Sequence, residues 1–390
     1  MSGSCGEGLV VTAVPLLVLE ITTDPRDVSL VTVVGQLPWL LLSLVAGALI
    51  DAVPRRALLS AAFAVQAVTA LVLAAAAAGG WLGLPLLLAV SFVVVAAQVV
   101  VEGVRGAMVP DVVDSDRLDA ANARMMVIDR GVVQFTVPPV AGLLVALSTG
   151  APAWIAASAA LVALALTRGL PVHVPVSRRP GHPLRGITDG LRFLVASPLL
   201  RAITIKVAIG SLAFTTGYAT FVLYATEVLH ANAVGYGLLL GASALGWVLS
   251  SFLVGRLTAR FGYSGAMRGG AAIAALCMLV LWVVPPRWPL VAAVLVLFAG
   301  STLAWNVGSQ SSRQRFTPPE LLGRVLAGHR ALTWSFMPVG GLLGGLVATH
   351  WGLRSTWLVA AVVDAAGLLL VWRALSAEAF ERERTAVEPA

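Results

Sequence analysis

The 390-residue sequence is 58% hydrophobic and 12% charged, with a mean hydropathy of +0.91; soluble domains run at about 45–50% apolar and about 25% charged, which excludes a soluble globular fold and makes the lipid bilayer part of the solvent. A net charge of +7 suits a nucleic-acid partner only if the basic side chains gather into one patch, and here they follow topology, so no nucleic acid is expected. Cys5 and Cys277 match no metal or redox spacing, and the five histidines (173, 182, 230, 329 and 350) fall at predicted loops or helix ends as interfacial residues, so neither a metal nor a cofactor is expected.

A helix needs about 20 apolar residues to cross the hydrocarbon core. In chain order such stretches lie near 6–23, 28–50, 57–78, 82–104, 125–147 and 153–170, and then near 199–224, 233–255, 264–284, 288–308, 326–348 and 355–375. No basic n-region or cleavage site marks a signal peptide ahead of them. The fold expected is all-α and polytopic, with twelve transmembrane helices. Residues 1–170 form an N-terminal set of six, 171–198 a cytoplasmic linker around Arg178-Arg179-Pro180-Gly181, 199–375 a C-terminal set of six, and 376–390 a cytoplasmic tail.

The first span is short, because only the eleven residues Leu9 to Leu19 between Gly8 and Glu20 are uncharged and mostly apolar. The halves repeat with an offset of about 200 residues: Arg124 precedes Pro138 by fourteen, and Arg324 precedes Pro338 by fourteen. That offset puts the start of helix 1 at or before residue 1, so helix 1 is expected to be truncated and the native start to lie upstream of Met1.

With the N-terminus in the cytoplasm, 21 Lys and Arg residues fall on predicted inner loops, helix ends and the tail, and three, Arg26, Arg287 and Arg354, on outer loops. Arg130 and Lys206 fall inside or near spans. This positive-inside bias places both termini in the cytoplasm of a bacterial inner membrane. Trp81, Trp154, Trp282, Trp288, Trp351 and Trp357 fall near predicted outer ends, where amphipathic indoles favour the headgroup region.

Six stretches carry a family signature. The loop after span 2 reads Gly47-Ala-Leu-Ile-Asp51-Ala-Val-Pro-Arg55-Arg56, and the matching point after span 8 reads Gly255-Arg-Leu-Thr-Ala-Arg260-Phe-Gly262. Small residues there let helices approach, and the acid can meet a helix N-terminus or an arginine. Pro110-Asp-Val-Val-Asp-Ser-Asp-Arg-Leu118, continuing to Asn122 and Arg124, follows span 4, and Thr317-Pro-Pro-Glu-Leu-Leu-Gly323-Arg324 precedes span 11 with its Gly340, Gly341, Gly344 and Gly345. With Leu37-Pro38-Trp39 and Gly6-Glu7-Gly8, these motifs resemble the major facilitator superfamily, in the branch that includes enterobactin exporters and macrolide-efflux-like pumps. The resemblance runs from about residue 6 to residue 375. It implies two pseudo-symmetric six-helix bundles, a cavity lined by helices 1, 4, 7 and 10, and a gate in which Asp51 meets the start of helix 11 around Gly323 and Arg324. The sequence departs from the pattern twice. Helix 5 has Pro138-Pro139 where exporters of this kind often have Gly-Pro, and the second-half loop has Ala259-Arg260 and no acid.

Charged and polar groups at membrane depth are costly, which makes each a functional candidate. Helix 1 offers Glu7 and Thr12; helix 4 offers Gln98 and Glu102, one turn apart on one face. Helix 7 offers Lys206, Thr215, Thr216 and Tyr218, and helix 10 offers Trp305, Asn306 and Gln310. Such a sparse polar set in apolar walls suits amphipathic organic molecules. Glu7 is the first candidate for a proton-coupling acid and Glu102 the second, with a competing role for Glu102 in pairing Arg105. Asp129-Arg130 reads as a structural pair or gate contact and Asp364 as structural on a peripheral helix. Lys206 is placed to snorkel to the inner surface, with an anion-binding role as the alternative. The expected function is proton-coupled efflux of a small amphipathic drug, siderophore or secondary metabolite by a monomer in the lipid bilayer. A nutrient importer is the alternative, and a non-transporting sensor a more remote one. No nucleophile–base pair, metal spacing or phosphate loop suggests an enzyme.

Overall fold

The structure is a computed structural model, and it describes residues 2–112, 133–169 and 183–387. These form helices α1 (Ser2–Val18), α2 (Pro25–Ala52), α3 (Arg55–Gly79), α4 (Leu84–Val112), α5 (Gln134–Leu147), α6 (Ala151–Leu166) and α7 (Pro183–Ala196). They continue with α8 (Pro198–Tyr218), α9 (Ala233–Val283), α10 (Trp288–Arg315), α11 (Pro319–Trp334), α12 (Phe336–Trp351), α13 (Ser355–Val371) and α14 (Ala377–Val387). Among the described residues there is no strand. Among the described residues seven helices are long and apolar enough to cross a membrane, and three further apolar helices, Gly3–Val18, Phe135–Leu147 and Ser355–Val371, are shorter. Phe252, Leu369 and Leu370 are each more than two-thirds exposed, which is an apolar surface suited to acyl chains. The acidic stretch after α4, Asp129-Arg130 and most of the Pro-rich part of the linker lie outside the described residues.

Local chemistry sets most of the boundaries. The Asp24 side chain caps α2 by accepting from the Arg26 amide at 2.8 Å, ahead of Pro25 in the first turn. Gly80, at φ 71°, ends α3 in the left-handed conformation. Ser197 caps α8 through the Leu200 amide, and its hydroxyl also donates to Glu383 of α14 at 2.6 Å, tying the tail helix to the start of α8. Helix α9 is two helices in one element, broken at Gly262, where φ 67° and ψ 173° are open only to glycine.

Two expectations change. The eleventh span is two abutting helices, because Pro338 has no N–H for the Trp334 carbonyl four residues back and α11 ends there. Trp357, expected at the headgroup level, is 2% exposed and packs edge-on against Phe221 with ring centroids 6.1 Å apart.

The chain divides into two compact units: one of Met1–Pro180 with Val222–Gly241, the other of Gly181–Phe221 with Ala242–Ala390. In the first unit α1 packs against α4, α5 and α6, and α4 lies between α2 and α3. In the second, α8 is central, flanked by α12 and α13, with α7 lying along α11. Leu199, Leu200, Ile203, Met267, Val325 and Leu368 form its core. Close approach of α12 to α8 depends on glycine: a Cβ on Gly344 would stand 2.3 Å from the Thr216 carbonyl oxygen, and one on Gly340 2.2 Å from that of Leu212.

Candidate functional site

Two sets of polar side chains stand inside apolar helices, one in each unit. In the first unit Glu7 sits half-buried on α1, one turn beyond Ser4, whose hydroxyl accepts from Arg105 Nη1 of α4 at 3.4 Å. Thr12 lies buried further along the same helix. On α4 the Gln98 amide donates to Glu102 Oε1 at 3.3 Å, the one-turn neighbours the spacing predicts. Glu102 is exposed within this unit. Arg55 and Arg56 open α3 directly after Pro54; the side chains of Gly47 and Asp51, at the end of α2, lie outside the described residues.

The second unit holds a buried ion pair. Lys206 Nζ of α8 donates to Asp364 Oδ1 of α13 at 2.7 Å, with the two side chains 6% and 4% exposed. The same ammonium lies 5.4 Å from the Trp305 ring centroid on α10, close enough for cation–π attraction. Lys206 therefore does not snorkel to a surface, and Asp364 is its partner. Asp364 Oδ2 is buried without a hydrogen bond.

The other predicted positions are placed as follows. The hydroxyls of Thr215 and Thr216 are fully buried and turn back onto their own helix, to Ser211 and Leu212 carbonyls at 2.8 Å. Tyr218 stacks between Phe214 and Phe221, with centroids 5.0 and 6.1 Å away. Asn306 and Gln310 are exposed on α10, and Asn306 Nδ2 donates to the Thr302 carbonyl at 3.0 Å. Gly255 has no heavy atom within 4 Å of a Cβ, Arg260 lies over the Phe261 ring, and Arg324 is exposed on α11.

Two residues escaped the reading of the sequence. Arg313 was counted among the inner-surface arginines, yet it is 9% exposed and donates to Ser309 Oγ one turn back on α10. His329 was placed at a helix end, yet it is 7% exposed inside α11, with Nδ1 3.0 Å from Thr204 Oγ1 of α8. The available signal was the spacing of Trp305, Ser309 and Arg313, which puts all three on one face. A cavity of about 270 Å³ lies apart from these groups, between the α9 break, the end of α10 and α14, lined by Tyr263, Ser312, Arg315, Phe380 and Arg384 among others.

The comparisons with known proteins agree with this arrangement of apolar helices with isolated polar groups. Residues 2–387 match the family described as transmembrane secretion effector. The multidrug efflux pump Tap of Mycolicibacterium fortuitum is 27% identical over 92% of this chain and 89% of its own length. The enterobactin exporter EntS of Escherichia coli O1:K1 is 30% identical over 60% of this chain, a match that spans 55% of the exporter. The fold is shared with a bacterial homologue of the lysosomal transporter Spinster in an inward-facing, unoccupied conformation (TM-score 0.75, 14% identity, 100% of this chain and 96% of that one). It is shared also with a D-xylose–proton symporter (TM-score 0.71, 13% identity, 95% and 96%). The chain belongs to the transmembrane secretion effector family of the major facilitator superfamily, and it is a multi-pass membrane transporter of small molecules, not an enzyme.

Proposed function

We propose that the protein is a secondary active exporter that moves a small amphipathic organic molecule out of a bacterial cell in exchange for protons. The observation that carries this reading is the likeness, over nearly the whole chain, to a multidrug efflux pump. In this reading the helices make twelve crossings in two six-helix bundles, with α9 counted as two crossings either side of Gly262 and α11 with α12 as one. The domain boundaries follow the repeat, with a cytoplasmic linker over 171–198. The protein works as a monomer in the inner membrane with both termini inside, as the arginine distribution favours.

Glu7 is the proposed proton carrier. It is a carboxyl half-buried on an apolar helix, and alternating protonation of such a group is what ties proton entry to substrate exit. Glu102, with Gln98 beside it, is the second choice. Thr12, Gln98, Lys206, Thr215, Thr216, Tyr218, Trp305, Asn306 and Gln310 are the proposed substrate-facing set, and Gly47, Asp51, Arg55, Arg56, Gly255, Arg260 and Arg324 the proposed gating elements.

Everted membrane vesicles test the reading. Vesicles acidified inside by respiration should accumulate one or more members of a panel of lipophilic dyes, antibiotics and siderophores, and nigericin should release them. Accumulation that needs the opposite gradient, or by right-side-out cells alone, overturns export in favour of uptake.

A further inference from the structure

Among the described residues Arg313 is a cation without a counterion. It sits on α10 at 9% exposure, and among the described residues its one hydrogen-bond acceptor is the Ser309 hydroxyl. Its Nε is buried with no partner. A guanidinium carries five N–H donors, and a buried charge is tolerated when it is paired and its hydrogen bonds are met. The groups that bear on it electrostatically are like charges: Arg330 acts on Arg313, and both arginines act on His329. No carboxylate pairs with Arg313 or Arg330 among the described residues. The buried acid of this unit, Asp364, is engaged by Lys206. Among the described residues the interior of the second unit thus holds two buried cations, Lys206 and Arg313, against one buried anion, Asp364.

The surroundings are those of a receptor for an anion. Trp305, Ser309 and Arg313 recur every fourth residue along one face of α10. The Thr204 hydroxyl holds the His329 ring through Nδ1, fixing a second nitrogen-bearing group in the same charge cluster. Towards the other end of the line Lys206 lies over the Trp305 ring, so a flat aromatic surface shares this face of α10 about two turns from the unmatched charge. We propose that Arg313, with Ser309 and His329, binds an oxyanion, a carboxylate or phosphate borne on an apolar body that lies along Trp305. This rests on the export reading for its source: the exported molecule is then an amphipathic acid and not a cation. A phospholipid headgroup supplies the same phosphate chemistry, and the experiment separates the two.

The test uses the purified full-length protein in phospholipid-free detergent, with 2-naphthoate as probe and 2-naphthamide as its neutral isostere, read by tryptophan quenching and thermal unfolding. A hydrogen-bonded charge contact contributes about 1.5–3 kcal/mol, so naphthoate should bind about ten- to a hundredfold more tightly than the amide. Arg313→Gln should bring the acid down to the level of the amide, and Arg313→Lys should restore part of the difference. Equal binding of acid and amide by the unaltered protein overturns the proposal whether or not the variants fold, and so does naphthoate binding that is undiminished in a folded Arg313→Gln. In nanodiscs, naphthoate binding that persists in phosphatidylglycerol supports the substrate as source. Binding abolished by phosphatidylglycerol but kept in phosphatidylcholine overturns it in favour of an anionic headgroup. Because no gradient is applied, failure of the export reading leaves the acid–amide comparison intact, and failure of this site leaves export of neutral compounds intact.

Discussion

Lys206 and Asp364 stand 158 residues apart in sequence and 2.7 Å apart in space, and their pairing shows what single residues do and do not disclose. Removing one member of a buried pair strands the other charge, which costs about 3–5 kcal/mol, whereas an apolar replacement of both is close to neutral. Lys206→Met and Asp364→Leu should therefore each lower the unfolding temperature in detergent sharply, and the double variant should recover most of the loss. Additive losses would mean that the two groups do not form an energetic pair. For coupling, Glu7→Gln should abolish export driven by a pH gradient, since an amide cannot cycle between charge states, while substrate exchange without a gradient survives. If Glu7→Gln pumps normally and Glu102→Gln does not, the carrier is on α4. Spacing alone made some of this legible: Gln98 and Glu102 are neighbours because they lie four apart on one helix. Arg313 and His329 were not legible, because an arginine near the inner end of a span reads as a topology signal, and only the packing of α8, α10 and α11 reveals that both are buried.

At the scale of elements, hydropathy located most helices to within a few residues, separated the two halves of α9 and missed the break in the eleventh span. The run Ala233–Val283 stays helical through the basic stretch from Arg256 to Arg268 that separates the eighth and ninth spans, and its division falls at Gly262 with φ 67°. A side chain at this backbone conformation costs about 1–3 kcal/mol, so Gly262→Ala should destabilise the protein although nothing crowds the site. Gly344→Ala should also destabilise, for a different reason, because its Cβ meets the Thr216 carbonyl and overpacking of this kind costs about 1–3 kcal/mol. Gly255 is the control. It is helical and has open space around it, so Gly255→Ala should be neutral or stabilise by up to about 1 kcal/mol. Thermal unfolding of the three variants ranks them, and equal effects at Gly255 and Gly344 would refute the close-approach account. The α11–α12 junction had a readable cause, since a proline four residues after Trp334 removes the hydrogen bond that would carry the helix through. Hydropathy is blind to it because Leu321–Trp351 remains apolar enough to count as one span.

For the whole molecule, composition excludes water as the sole solvent, and the motifs by themselves point to the superfamily. Orientation is the global property that rests on sequence alone. Helices fix where the chain crosses but not which side it starts from, and the deciding quantity is the placement of Lys and Arg near helix ends. The proposed inside assignment puts 21 of them inward and three outward, so the opposite orientation would have to translocate the richly basic loops. One of the outward arginines makes a structural contact within its unit: Arg354 donates to the Val284 carbonyl. Its position is thus explained without a topological role. A reporter fused after Ala390 should fluoresce as green fluorescent protein and be inactive as alkaline phosphatase, which needs the oxidising periplasm. In a Cys5→Ser, Cys277→Ser background, a cysteine at Pro286, in the α9–α10 loop, should react with a membrane-impermeant maleimide in intact cells, and one at Ser376 only after lysis. Phosphatase activity at the C-terminus together with external labelling at 376 would invert the orientation. The direction of transport would stay the same, because an antiporter carries substrate against the proton flow whichever way it is inserted, and only the assignment of inner and outer gates would exchange.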